Sequence, residues 1–152
     1  MVNRKLQLST HSPVETEALG YSWGQSAQLG MVFGLSGPLG AGKTQLVKGL
    51  ARGLEFEGRI HSPTFTIVNV YTGGRLTLFH LDLFRLDTPE QIEAAGLQEY
   101  LHPAGVTVIE WAEKWFGSSI QHPASSIQHL RLAQIEILSE SERRIAYEDL
   151  GH

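Results

Sequence analysis

Hydrophobic and polar positions alternate at Leu6-Gln7-Leu8, the two-residue spacing of a strand with one buried face. Ser12-Pro13 then sets a hydroxyl cap ahead of a proline suited to a first helical turn, which predicts a helix from about Pro13 to Gln28. Met31 to Ser36 is a short apolar run between Gly30 and Gly37, the pattern of a strand buried on both faces that ends in a turn. From Lys43 to Gly53 the spacing changes: Leu46, Val47, Leu50 and Leu54 recur at helical intervals, and Gly53 marks the stop. Ser62-Pro63-Thr64 reads as a turn, followed by strands over Phe65–Tyr71 and Arg75–Leu81, with the glycines of Thr72-Gly73-Gly74 allowing an antiparallel hairpin. Thr88-Pro89-Glu90 repeats the cap-plus-proline signal for a short helix that Gly96 ends, and Val106–Ile109 is a second continuous buried-strand run. Leu130–Leu138 alternates again, and Ser139–Glu142 turns the chain into Arg143–Tyr147.

Strands and helices in this order predict an α/β fold: a mixed, largely parallel central sheet flanked by helices, with an antiparallel hairpin. Neither a long linker nor a structural repeat interrupts residues 1–152, so one domain is expected; the echo of Ser119-Ile120-Gln121-His122 in Ser126-Ile127-Gln128-His129 is too short to be a repeat. Composition leaves this reading in place, since 41% apolar and 18% charged residues are ordinary globular usage. The net charge of -4 argues against a broad basic footprint for nucleic acid, so any RNA would be held by a partner. Absence of cysteine removes disulfide, zinc-thiolate and thiol-nucleophile chemistry. Residues 1–12 carry no apolar core of signal-peptide length, and no run approaches a membrane span, so a cytoplasmic protein is expected.

Candidate chemistry begins where the Met31–Ser36 strand ends. Gly37-Pro38-Leu39-Gly40-Ala41-Gly42-Lys43-Thr44 fits the pattern of Gly, four residues, then Gly-Lys-Thr, in which backbone amides and a helix N-terminus cradle phosphates. Side chains at the glycines would block that approach. Lys43 is placed to reach β and γ phosphates, and Thr44 to give a hydroxyl to magnesium. A chance match is the alternative, but the preceding strand and following helix are the context the motif needs. The expected ligand is a nucleoside triphosphate with magnesium, ATP, and the fold that of a P-loop NTPase.

Such a loop requires an acidic partner, and two acids end strands: Asp82 and Glu110. Glu110 follows the more uniformly apolar run and should close a central parallel strand, where open α/β sheets bind ligands. It is the preferred second magnesium contact, either direct, through water, or as the group orienting the attacking water. Asp82 is either a second acid near the γ phosphate or a turn residue bonding backbone amides. Thr64 either offers its hydroxyl to the γ phosphate or starts a rigid turn. Trp111 packs beside the nucleotide or a partner, or belongs to the core. His80 shares a strand face with Asp82 and reads as structural or as a contact behind a functional group.

Gly40-Ala41-Gly42-Lys43-Thr44, Ser62-Pro63-Thr64-Phe65, His80-Leu81-Asp82 with Arg85-Leu86, and Ile109-Glu110-Trp111, in this order and spacing, resemble the bacterial TsaE (YjeE) family over about Thr16 to Trp111. The resemblance implies a small ATPase needed for threonylcarbamoyladenosine formation in tRNAs that read codons beginning with A. It implies that the chain acts on TsaD and TsaB, with TsaD performing the transfer and tRNA met only through that complex. By position it also implies that Lys43 and the loop bind phosphates, that Thr44 and Glu110 hold Mg2+, and that Asp82 is needed for hydrolysis. Thr64 and Trp111 fall on further motif positions, the segment around Ser12-Pro13 lies near the base, and the closing hairpin with Arg143 is similar to the family's. The family commonly has Asp where this chain has Pro38, and proline removes one amide that could face phosphate. Two other readings use the same loop: a small-molecule kinase, which needs an acceptor pocket and lid arginines beyond Arg143-Arg144, and a nucleotide-switched binding module.

Overall fold

A computed structural model describes residues 4–61, 66–117 and 127–151. Its strands are β1 (Arg4–Thr10), β2 (Met31–Ser36), β3 (Val68–Tyr71), β4 (Leu78–Asp82), β5 (Val106–Glu110), β6 (His129–Ile137) and β7 (Arg143–Gly151). They form one sheet in the order β1-β7-β6-β2-β5-β4-β3. The central strands β6, β2, β5 and β4 run parallel, while β3 at one side and β7 and β1 at the other are antiparallel to their neighbours. This is the expected mixed α/β sheet, with the parallel part confined to its middle.

The apolar runs read as buried strands are the innermost ones. Every residue of β5 is buried, and β2 has the same character from Val32 to Leu35. Helices α1 (Pro13–Ser26) and α2 (Lys43–Gly53) cover one face, packing Leu46, Val47, Leu50 and Leu54 onto Phe33, Leu35, Val106 and Val108. On the other face α3 (Pro89–Ala94), a 3-10 turn at Leu97–Leu101 and α4 (Glu113–Phe116) pack Ile92, Leu97, Leu101, Trp115 and Phe116 onto Val32, Leu81, Ile109 and Leu130.

Ends of elements follow local chemistry. Ser12 Oγ accepts the Glu15 amide at 3.1 Å and Thr88 Oγ1 the Gln91 amide at 3.1 Å, so both predicted caps form. Helix α1 stops at Ser26, two residues before the expected end, where Ala27 turns extended. The predicted hairpin strands are shorter than read: β3 starts at Val68 and β4 at Leu78. Arg75 is drawn out of β4 because its amide bonds the Leu54 carbonyl at 2.6 Å while its guanidinium donates to Gly24 O and Ala27 O at the end of α1. Hydrogen bonds to those carbonyls at the helix end outweigh strand propensity. The Ser62-Pro63-Thr64 turn lies outside the described residues.

Helices α1 and α2 touch backbone to backbone. A Cβ at Gly49 would overlap the Glu17 carbonyl oxygen and sit 2.8 Å from the Tyr21 amide nitrogen, and one at Gly24 would be 2.8 Å from Gly53 Cα. That contact seats the C-terminal half of α2 on α1, and the helix carries the glycine loop at its other end.

Candidate functional site

The loop from Gly37 to Gly42 leaves the carboxyl end of β2 and enters α2 directly. Gly37, Gly40 and Gly42 take φ of 151°, 80° and 110°, values an L side chain rarely adopts, and a Cβ at Gly37 would meet the Ile135 carbonyl at 2.7 Å. Gly42 is the N-cap of α2 and no side chain among the described residues caps the helix, whose first amides have no acceptor within the helix itself. Lys43 folds back across it, its Nζ donating to Gly37 O at 2.6 Å and Pro38 O at 3.0 Å. The ammonium also lies 3.9 Å from the Trp111 ring centroid. Burial pushes Lys43 below the usual lysine range, against the opposing pull of Glu110, Glu113 and Asp82.

Thr44 and Glu110 meet although they are 66 residues apart: the Thr44 hydroxyl donates to the carboxylate, 3.2 Å from Oε1 and 3.4 Å from Oε2. Glu110 is 3% exposed, and its Oε2 is 2.7 Å from His80 Nε2, with His80 fully buried. The β4–β5 register explains the cluster. Asp82 stands directly opposite Glu110, and His80 opposite Val108, so all three polar side chains share the face that carries α2. Asp82 Oδ1 accepts the Phe84 amide at 3.0 Å, and burial raises its carboxyl above the usual aspartate range, with Glu110 adding to the rise and that amide opposing it. The turn bond and the place beside Glu110 are both present, so the two readings of Asp82 do not exclude each other.

Lys43, Thr44, Asp82, Glu110 and Trp111 line one cleft of about 530 Å³, together with Leu39, Gly40 and Gly42 from the loop. Trp111 is held at φ 62°, a strained value for an aromatic residue, and packs on Phe84 with ring centroids 5.2 Å apart. It therefore borders the cleft while also touching the core beneath α4. Other predicted residues stand around this centre. Pro38 turns outward into a groove with Gln134, Glu136 and Arg144. Ala41 is fully buried, and the Pro13 carbonyl accepts the side chain of Gln45, itself a cleft residue, at 3.4 Å. Arg143 reaches the loop from behind: from β7 its guanidinium donates to Ala41 O at 3.0 Å and Gly40 O at 3.3 Å. Thr64 lies outside the described residues. The role of Arg143 as a brace on loop carbonyls, and the bond from His80 to Glu110, had no signal in residue spacing; strand parity pointed only to a shared face.

Two oxygen ligands on adjacent corners of a magnesium octahedron, each about 2.1 Å from the ion, lie roughly 3 Å apart. The 3.2 Å separation of Thr44 Oγ1 and Glu110 Oε1 matches that spacing, and both are hard oxygen donors, so this pair fits the ion.

Comparison with known proteins adds an independent line. The sequence pattern of the family described as "Threonylcarbamoyl adenosine biosynthesis protein TsaE" matches residues 10–145. A Bacillus subtilis protein named tRNA threonylcarbamoyladenosine biosynthesis protein TsaE is 36% identical over 149 residues, 98% of this chain and 89% of the relative. A Synechocystis protein of the same name is 48% identical over 103 residues, 65% of each chain. The crystal structure of Bacillus subtilis YdiB superposes with a TM-score of 0.78 at 34% identity, covering 99% of this chain and 89% of that one.

Proposed function

We propose that this chain, which belongs to the TsaE family of threonylcarbamoyl adenosine biosynthesis proteins, binds ATP with magnesium and hydrolyses it to drive a TsaD-TsaB complex through its tRNA-modifying cycle. On this reading it does not transfer the threonylcarbamoyl group itself, works in the cytoplasm, and meets tRNA only through the complex. The net charge of -4 is in keeping with that last point. The observation that carries the ATPase reading is the meeting of the Thr44 hydroxyl and the Glu110 carboxylate at the mouth of the glycine loop, one residue after Lys43.

Each residue has a task that follows from its surroundings. Loop amides and the N-terminus of α2 receive phosphate oxygens, and the partial positive charge of the helix end acts where the chain as a whole is acidic. Lys43 exchanges the Gly37 and Pro38 carbonyls for phosphate oxygens, which restores the full charge compensation that burial withholds from it. Thr44 and Glu110 would hold magnesium, which neutralises charge on the β and γ phosphates when bound. Asp82 orients the attacking water: its raised affinity for a proton suits an acceptor, whereas the Glu110 oxygens are engaged by Thr44 and His80.

The test is phosphate release from ATP by the purified chain, alone and with TsaD and TsaB. Slow release alone that rises when both partners are added is the expected result. No ATP binding, or transfer of the γ phosphate to a small metabolite in place of water, would overturn the proposal.

A further inference from the structure

We infer that His80 is the positioning residue of the magnesium site: its Nε2–H holds Oε2 of the Glu110 carboxylate and leaves Oε1 as the oxygen open to the metal beside Thr44. The inference rests on the reading of Glu110 as a magnesium ligand. An ionised carboxylate only accepts hydrogen bonds, so the proton in the 2.7 Å contact belongs to Nε2. Oε2 is thereby committed to His80; the Thr44 hydroxyl reaches Oε1 at 3.2 Å and Oε2 at 3.4 Å, so Oε1 is the oxygen that the imidazole leaves open beside Thr44.

His80 has no other polar task. Its side chain is fully buried, and Nδ1 has no hydrogen-bond partner among the described residues. A leucine would fill that space without the desolvation that a buried imidazole brings, so core stability does not explain the residue. Its orientation is nevertheless held firmly. Tyr71 stacks on the ring at 6.1 Å and 30°, and the Tyr71 hydroxyl is anchored by the His61 amide and carbonyl, each at 3.1 Å. The ring sits on β4 one pleat back from Asp82 and diagonal to Glu110 on β5, so rigid backbone sets the distance on both sides. Groups that bond a ligating carboxylate from behind typically control metal affinity by about 10-fold to 100-fold.

The experiment measures Mn2+ binding to the ADP-loaded full chain by electron paramagnetic resonance of the free ion, in wild type and in His80→Phe, His80→Gln, His80→Asn and Glu110→Gln. Expected is roughly 10-fold to 100-fold weaker Mn2+ binding in H80F, with metal-free ADP affinity and far-ultraviolet circular dichroism unchanged. H80Q recovers most of the loss, because its longer side chain carries an amide donor to the place of Nε2. H80N stays weak, because its amide falls at the place of Nδ1. The Gln and Asn variants decide the matter even if H80F does not fold, since both carry the same amide and one methylene sets where its donor falls. H80F at wild-type Mn2+ affinity, or Gln and Asn variants that behave alike, would overturn the role of His80 while a weakened E110Q leaves the magnesium site standing. E110Q at wild-type affinity would overturn both.

Discussion

Arg143 offers the sharpest test of how the loop would be kept ready for the phosphates of the proposed ATPase. Its guanidinium spans two structures: Nη1 donates to Ser139 O at 2.7 Å and Glu142 O at 3.0 Å in the β6–β7 turn, while Nε and Nη2 donate to Ala41 O and Gly40 O. Arg143→Ala removes all of these. The Ser139 and Gly40 bonds are solvent-exposed and contribute little, leaving the partly buried ones to Ala41 and Glu142 at about 1 kcal/mol each after competition with water. A loss of about 2 kcal/mol in a chain of this size lowers the melting temperature by roughly 4–8 °C. About half of that loss belongs to the loop and returns as an ordering cost when nucleotide binds, which predicts about fivefold weaker ADP binding. Calorimetry with ADP and thermal melts on R143A and Arg143→Lys measure both quantities. Lysine keeps the charge but cannot bridge the turn and the loop at once, so R143K should resemble R143A. R143K with wild-type affinity beside a weakened R143A would refute the brace and require a bare positive charge acting on the nucleotide instead.

Other substitutions separate binding from turnover. Glu110→Gln keeps shape but loses charge, so ADP binding is retained while phosphate release falls by more than about tenfold; wild-type hydrolysis would remove Glu110 from the site. Lys43→Ala, which deletes the group now parked on Gly37 O and Pro38 O, should weaken ATP binding roughly 10-fold to 100-fold by calorimetry, and an unchanged dissociation constant counts against it. Asp82 makes a prediction about pH. Because burial raises its folded-state value above the ordinary 3.8, the folded chain holds this proton longer than the unfolded chain, and stability is lost as pH climbs through that window. Asp82→Asn, whose side-chain oxygen can still accept the Phe84 amide, should therefore melt higher than wild type at pH 7 and lose that advantage as pH falls below the ordinary aspartate value. Melts from pH 3 to 8 decide it, and a constant gap, or none, refutes the burial argument. The same variant should lose hydrolysis, in line with the cost of keeping a destabilised group at a functional site.

Those parts of the fold written in local pattern were legible. The β2 run, the helix from Lys43 to Gly53 and the β5 run fall where their spacing puts them, because an apolar run flanked by glycines and a helical stripe each report burial directly. The candidate site was legible for the same reason: its residues sit at the ends of such elements. What spacing did not carry is long-range pairing. Leu6 and Leu8 suggested a strand, but not that it would lie antiparallel to β7, nor that β7 would run to Gly151, past the expected Tyr147. Arg75 read as a strand residue, whereas it caps α1 from a distance of some fifty positions.

Long-range pairing is also what turns a common loop into this site. On the proposed reading the glycine loop alone would specify contact with phosphate, but its carbonyl side is braced from β7 through Arg143, its helix is seated on α1 through Gly49, and its hydroxyl meets an acid that His80 of β4 bonds. Three elements distant in sequence thus hold one short segment from three directions. Since a substitution in any of them leaves the Gly-Lys-Thr motif intact, a weakened nucleotide or metal site can arise in a chain whose loop sequence is unchanged. The converse holds as well: an intact loop sequence in a relative says little about its affinity unless the counterparts of Arg143, Gly49 and His80 are also in place.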